Sequence, residues 1–416
     1  MKKQVVIAGG GIVGLCCAYF LQKEGHQVTL IEKSAMPTGA SYVNAGYLVP
    51  SHIIPLASPG MLSRGLRYLF DPSSPFYIRP RWDIELFRWA WYFKRSATKT
   101  KVEHAIPILN ESNILSRELF FGIKASGDLG NFHLERKGLL MIYQTEKERD
   151  HELKIAEKAK SMGIEVDDLD GSALRKIEPN VAIEALGALH YHSDAHTTPS
   201  IFMEQMLNHL KNNGVIISQG EEIQNIVHHK GRITKMTTRK KIYEADEFIL
   251  ATGSWTPTLA RQLNLNISLQ AGKGYSIDVK KNTGITMPAI LMEAKVAVTP
   301  MKGFTRFAGT MEFSGVNNTL VGKRVDTIVD SACRFYKDLV FDEFDKTNAK
   351  CGLRPVSPDG LPYVGKPRAL QNLIVATGHA MMGWSLGPIT GKVVSEIISD
   401  KKTSLNITAF DPDRKF

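Results

Sequence analysis

The sequence predicts an α/β fold built around a parallel sheet, with a second, antiparallel unit inserted into it. Three observations predict this. A β-branched run, Gln4 to Ala8, leads through a glycine-rich turn into an apolar helix and a second strand. A second short apolar strand, Phe248 to Ala251, ends in another glycine far along the chain, and the last sixty residues return to strand and then helix. Between these α/β stretches lie short strand-like runs separated by glycine turns. The 416 residues are 43% hydrophobic and 23% charged, which excludes a disordered or fibrous chain and leaves ample core for two domains.

The first unit is the most informative. His26 to Ile31 forms its second strand, after a helix from Ile12 to Glu24 closed by Gly25. The turn reads Gly9-x-Gly11-x-x-Gly14. Its first glycine makes a tight turn, its second admits a pyrophosphate close to the backbone, and its third lets helix and strand pack closely. The helix N-terminus then offers unpaired N–H groups to phosphate. Glu32 stands 23 residues after Gly9, close to the ~20 expected of an acid that bonds a ribose 2′-OH. The unit predicts a bound dinucleotide, NAD or FAD. Cys16 and Cys17 fall on its helix as small hydrophobes, and with Cys333 and Cys351 they form no disulfide or zinc pattern.

Residues 34–60 are loop-like. Residues 64–95 are rich in aromatic and basic side chains, among them Arg64, Arg67, Tyr68, Phe70, Trp82, Phe87, Trp89 and Trp91, with a helix over 84–93. This segment reads first as a buried helix with a basic rim, and second as a contact for a membrane surface or electron acceptor. Helices follow over 101–126 and 146–162, with a strand over 138–143 between them. Thr198-Pro199 opens a helix to about Asn212, with Thr198 as its N-cap. Strands over 215–218, 222–227, 233–238 and 247–251 suggest a meander. Strand-like runs alternate with glycine turns over 270–345, with one helix near 326–346, and a strand over 373–376 and a helix over 389–399 close the chain.

Several motifs then fall in order along the chain. They are Ser41 to Gly46, Gly272-Lys273-Gly274-Tyr275-Ser276, Gly309-Thr310-Met311-Glu312-Phe313, Gly352-Leu353-Arg354-Pro355 with Pro358 to Gly365, and Ala376-Thr377-Gly378-His379 followed by Gly383-Trp384. With Ala251-Thr252-Gly253 they resemble the D-amino acid oxidase superfamily of flavoproteins over nearly the whole chain. The nearest resemblance is to the D-amino acid dehydrogenase small-subunit group, with glycine and sarcosine oxidases as cousins. The resemblance implies a Rossmann-like FAD-binding domain from residues 1–80, 190–265 and 348–416. It implies a substrate-binding domain of antiparallel β-sheet and helices from 81–189 and 266–347.

The cofactor implied is non-covalent FAD, since neither Cys333 nor Cys351 sits in an attachment motif. Its expected contacts are Gly9, Gly11, Ile12, Val13, Gly14, Glu32, Lys33, Ser41, Asn44, Ala45, Gly46, Ile223, Ala251, Thr252, Gly253, Trp255, Gly378, Met382, Gly383, Trp384 and Ser385. Oxidation of an amino acid requires a grip on the substrate carboxylate, which a planar guanidinium matches with two parallel hydrogen bonds. Arg354 is the expected grip, because the resemblance places that arginine over the flavin. Tyr275 is expected to add its hydroxyl or line the pocket, with His52 and Met301 as weaker candidates beside it. No catalytic side chain is nominated, because the flavin does the chemistry.

The expected reaction is oxidative deamination of a free D-amino acid to an imino acid, with electrons passed to a quinone or other acceptor. The alternative substrate is a cyclic or N-methyl amino acid: a D-proline derivative such as hydroxy-D-proline, glycine or sarcosine. The second glycine strand argues against a nicotinamide dehydrogenase. The net charge of +10 suits an anionic substrate or membrane surface, and no nucleic-acid-binding motif accompanies it. His192-x-Asp194-x-His196 lies in a loop before a helix, and no metal is expected there. Four glycines break the apolar run after Met1-Lys2-Lys3, so a signal peptide is not expected. The expected location is the cytoplasm, or the inner face of the cell membrane as a peripheral protein.

Overall fold

The computed structural model describes residues 1–60, 74 and 76–416. Arg64, Arg67, Tyr68 and Phe70 therefore lie outside the described residues.

A six-stranded sheet runs in the order Ile216–Gln219, Gln27–Glu32, Gln4–Ala8, Glu247–Leu250, Leu373–Thr377, Tyr363–Gly365. Its first five strands are parallel and the last is antiparallel. Gln4–Ala8 is its centre: the chain winds away from it on both sides, which opens a crevice at the strands' carboxyl ends. The helices Ile12–Lys23 and Gly387–Ile398 cover one face. They touch at Gly391, where a Cβ would stand 2.4 Å from the backbone of Cys16. Cys16 and Cys17 are fully buried, as the small-hydrophobe reading expects.

A second, nine-stranded mixed sheet runs from Lys350–Val356 through Gln270–Val279, Phe304–Phe313, Val296–Met301, Ala289–Leu291, Leu139–Tyr143 and Gly187–Tyr191 to Val166–Asp170, with Phe76–Ile78 beside Phe304–Phe313. The helix Ile84–Ser96 buries Leu86, Trp89 and Phe93 against Met311, Phe313 and Val356. Trp89 Nε1 donates to the Val356 carbonyl at 2.8 Å.

The sequence reading needs three corrections. The meander is only Asn225–His229, Arg232–Thr237 and Ile242–Tyr243. Its expected outer strands, Ile216–Gln219 and Glu247–Leu250, belong to the parallel sheet, where both faces are covered. The helix expected near 326–346 starts earlier, as Gly322–Phe335, and a short separate helix, Glu343–Thr347, follows with Asp342 as its cap. Thr198 occupies the N-cap position of Pro199–Asn212 but makes no capping bond. Its Oγ1 is engaged by His133 Nδ1 at 2.8 Å and by the Lys302 N–H at 3.0 Å.

Two of the motifs meet in one buried ion cluster. Lys273 and Glu312 stand opposite each other on neighbouring strands. Their charged atoms lie 3.3 Å apart, and Arg324 Nε approaches Glu312 at 3.1 Å. Lys273, Glu312 and Arg324 are each under 5% exposed. Tyr275 donates its hydroxyl to Glu312 Oε2 at 2.7 Å. One carboxylate thus balances two buried cations, and removing it leaves both uncompensated. Glu312→Gln is expected to cost about 3–5 kcal/mol of folding stability. Urea denaturation followed by fluorescence checks this, and a loss below about 1 kcal/mol contradicts it.

Candidate functional site

A cavity of about 1330 Å³ opens at the carboxyl ends of the parallel strands and extends beneath the large sheet. This exceeds the ~300–1,000 Å³ of a usual small-ligand pocket. It is lined by Gly9, Gly11, Ile12, Val13, Glu32, Lys33, Ser41, Asn44, Ala45, Ile223, Ala251, Thr252, Gly253, Trp255, Met382, Gly383, Trp384 and Ser385, and further in by Arg354, Tyr275 and His52. Segments separated by hundreds of residues in sequence therefore share one cavity. Gly14, Gly46 and Gly378 do not line it. They allow close packing instead: a Cβ at Gly14 would lie 1.9 Å from the Gly9 carbonyl oxygen, at Gly46 2.3 Å from that of Thr197, and at Gly378 2.8 Å from the Tyr363 ring. Met301 also lies outside the cavity lining.

At the outer end, Gly9 has φ +108° and presses against the second glycine strand, so a Cβ there would stand 2.4 Å from the Ala251 carbonyl oxygen. The helix Ile12–Lys23 begins with no side-chain cap on its Gly11 N-cap and no acid in its first turn. A helix N-terminus facing a cavity, with neither a capping side chain on its N-cap residue nor an acid in its first turn, suits phosphate. Ser41 Oγ accepts the Ile12 N–H at 3.0 Å and so ties the 41–46 loop to this turn. Glu32 accepts the N–H groups of Gly10 and Ser34, each at 2.8 Å, and keeps further lone pairs for a hydroxyl donor. Beside it, the Lys33 ammonium lies 3.4 Å from the Trp255 ring centroid.

At the inner end, Arg354 lies across Gly274. A Cβ at Gly274 would stand 2.1 Å from Nη1, so only glycine leaves room for the guanidinium. Nη1 donates to the Thr310 carbonyl at 2.8 Å. Thr310 has φ +64°, a strained conformation for a β-branched residue. It sits in a bulge where Lys273 pairs with Glu312 but Tyr275 pairs with Gly309. Burial alone pulls the Arg354 pKa down to about 10, and among the described residues no carboxylate pairs with it. A desolvated cation facing a cavity is a receptor for an anion.

Tyr275 lines the cavity, the second of its two expected roles, and its hydroxyl donates to Glu312. His52 is held through Ser51, whose Oγ lies 3.3 Å from Nδ1 and donates to Asp194 Oδ2 at 2.5 Å. Burial and then Lys295 push the His52 pKa down to about 4, leaving a neutral imidazole on the cavity wall. His192, Asp194 and His196 diverge: His192 meets Asp167 at 2.8 Å, Asp194 serves Ser51, and His196 turns to another strand.

The sequence reading missed the far wall, which includes Met141, Lys147, Glu148, Glu152, Ile155, Met292 and Lys295. Glu148 and Glu152 lie one helical turn apart in a charged helix, Glu146–Ser161, whose pattern reads as a solvated face.

A family model described as "DAO: FAD dependent oxidoreductase" matches residues 4–397. The chain belongs to this family of FAD-dependent oxidoreductases. Among curated relatives it is similar to a D-amino acid dehydrogenase of Helicobacter pylori, 29% identical over 98% of this chain and 97% of the relative. A D-amino acid dehydrogenase of Agrobacterium fabrum is also 29% identical, over 97% of each sequence. Among solved structures the fold matches glycine oxidase from Geobacillus kaustophilus, with a TM-score of 0.79 and 21% identity over 100% of this chain and 99% of that one. It also matches L-proline dehydrogenase from P. horikoshii, with a TM-score of 0.75 and 18% identity over 99% of this chain and 97% of that one. FAD is thus the cofactor of this family member, and the helix N-terminus and glycine turn fit its phosphates.

The far wall carries a pH-dependent term. Burial raises the Glu152 pKa to about 7, against the pull of Lys295. Because the folded value lies above the unfolded one, its contribution is fully present below about pH 4.5 and lost as pH rises through about 7. Glu152→Gln is therefore expected to be more stable than the parent at pH 8, on the order of 3 kcal/mol, with the gap closing by pH 4.5. Thermal melts across that range check the sign. A gap that widens toward low pH contradicts it.

Proposed function

We propose that this flavoenzyme oxidises a free D-amino acid to the imino acid and hands the electrons to a quinone or another acceptor. The observation that carries the reading is the half-buried Arg354 guanidinium, which faces the cavity without a carboxylate partner among the described residues. The names of the similar dehydrogenases support the D configuration. FAD, when bound, supplies the hydride acceptor at N5 for the Cα–H bond.

In this reading Arg354 grips the substrate carboxylate with a two-pronged hydrogen bond, its fork oriented by Gly274 and Thr310. His52 stays neutral and accepts an N–H from the substrate amine. Tyr275 contributes its ring to the wall. The 378–386 loop, of which His379 to Ser385 line the cavity, would hold the flavin ring, and its backbone N–H groups would offset the negative charge that reduction adds. We assign residues 1–80, 190–265 and 348–416 to the cofactor unit and 81–189 and 266–347 to the substrate unit. Lys350–Val356 is the seam, since it pairs in the large sheet with Gln270–Val279.

We also propose a peripheral membrane contact, on the cytoplasmic side, where a quinone acceptor is reached. Among the described residues no helix is long and apolar enough to cross a membrane. The helix Ile84–Ser96 and its approach instead expose Trp82, Ile84, Phe87 and Trp91 beside Arg88, Lys94 and Arg95. Such a face suits an anionic lipid surface.

Anaerobic mixing with a panel of D-, L- and cyclic amino acids tests the substrate. D-alanine and other acyclic D-amino acids are expected to bleach the flavin, with their L-enantiomers at least ~100-fold slower. Bleaching by a D-proline derivative, glycine or sarcosine with none by D-alanine and its acyclic relatives contradicts the proposal in favour of the cyclic and N-methyl class.

A further inference from the structure

We propose that His133, Glu135 and His196 form a binding site for a divalent transition-metal ion of the zinc class, on the face of a small sheet outside the flavin cavity. The strand Ala195–Thr197 lies between Tyr47–Leu48 and Leu134–Glu135. Leu134 pairs with Thr197 and Glu135 with His196 in antiparallel register. Side chains alternate along a strand, so His133 and Glu135 share one face with His196 and Thr198.

The donor atoms of the three residues all lie within 4.8 Å of one another. His133 Nε2 is 3.5 Å from Glu135 Oε1, and His196 Nε2 is 3.7 Å from Glu135 Oε2. In a tetrahedral zinc site with bonds of about 2.0–2.2 Å, neighbouring ligand atoms stand about 3.3–3.5 Å apart. The two approaches are to different oxygens of Glu135, and with one ligand atom from each residue the three donors stand within 4.8 Å, a set that closing onto one ion would draw together. Imidazole and carboxylate donors select zinc and its neighbours over calcium or magnesium.

The supporting contacts fit a ligand set. His133 Nδ1 bonds Thr198 Oγ1, which leaves Nε2 turned to the site. This explains why Thr198 caps nothing. His196 is fully buried, and among the described residues no hydrogen bond of ordinary geometry reaches either ring nitrogen, although the Pro300 carbonyl faces the ring. Burying a ring nitrogen without a good partner is costly, and a metal on Nε2 would remove that cost at one of the two. Glu135 and His133 are partly exposed, which leaves an entry path and a position for water. Lys137 Nζ approaches Glu135 Oε2 at 2.8 Å and competes with the ion. The other cluster of this kind, Asp167, His190 and His192, has its ring nitrogens committed: His192 Nε2 to Asp167 and His190 Nε2 to the Lys137 carbonyl.

The site would stiffen the strand that supports the flavin pocket from behind. Thr197 Oγ1 accepts the Trp384 Nε1 hydrogen bond at 3.0 Å, and Tyr47, opposite His196, lines the cavity.

Calorimetric titration of the FAD-loaded, tag-free enzyme with Zn²⁺ tests the proposal. One ion per protein molecule is expected to bind. His133→Asn and His196→Asn are each expected to weaken binding by about 100-fold or more, and Lys137→Ala to tighten it. His192→Asn is expected to leave it unchanged. Flavin content verifies that each variant is folded, and if His196→Asn loses its flavin, the partly exposed His133→Asn and Lys137→Ala decide. No saturable binding, or binding that His133→Asn leaves intact, overturns the proposal.

Discussion

A half-buried guanidinium with no carboxylate paired to it among the described residues is the constraint around which the inner cavity is organised. Burying an unpaired charge is among the costliest things a fold does. Arg354 is tolerated because its surroundings leave it no other place. Gly274 vacates the volume it fills, and the Thr310 carbonyl takes one of its N–H groups. A bulged strand at positive φ aims that carbonyl. The ion cluster of Lys273, Glu312 and Arg324 fixes the two strands that carry Gly274 and Thr310. Those cations are engaged by Glu312 and its neighbours, whereas Arg354 faces the cavity with no carboxylate paired to it among the described residues.

The same logic joins the two sheets. Arg306, almost fully buried, pairs with Asp278 at 2.6 Å and donates to the carbonyls of Tyr42 and Asn44. Burial opposes ionisation of Asp278, yet Arg306 holds its pKa below the usual range. This places the 41–46 loop, whose Ser41 also meets the glycine turn, against the large sheet. Asp194 and Ser51 hold His52 in a similar way. The glycine turn, the inner arginine and the histidine are thus positioned relative to one another by side chains that line little of the cavity themselves.

Much of this was legible in the sequence where geometry demands a particular residue. The Gly9 turn, the strand before Gly253 and Glu32 at the end of the second strand are read from spacing, because close approach admits few alternatives. Lys273, Tyr275 and Glu312 were visible as motif letters, but not their purpose: pairing across strands creates the ion cluster, and spacing along the sequence cannot show it. The same blindness hid His133 and Glu135, whose partner His196 lies about sixty residues away. Thr198 held the N-cap position without its bond because a cross-strand histidine competed for the hydroxyl. Glu152 escaped notice because a charged helix facing a cavity has the same pattern as one facing solvent.

The claim on which the account rests is that Arg354 receives the carboxylate of the ligand. The direct measurement is titration of the oxidised flavin's absorbance with a non-reacting carboxylate such as benzoate, and with its neutral amide, on the parent enzyme, Arg354→Met and Gly274→Ala. The account predicts that the parent prefers the carboxylate by at least ~10-fold, and that both variants lose this preference while retaining FAD. An Arg354→Met enzyme that still prefers the carboxylate by the parent's margin would contradict it.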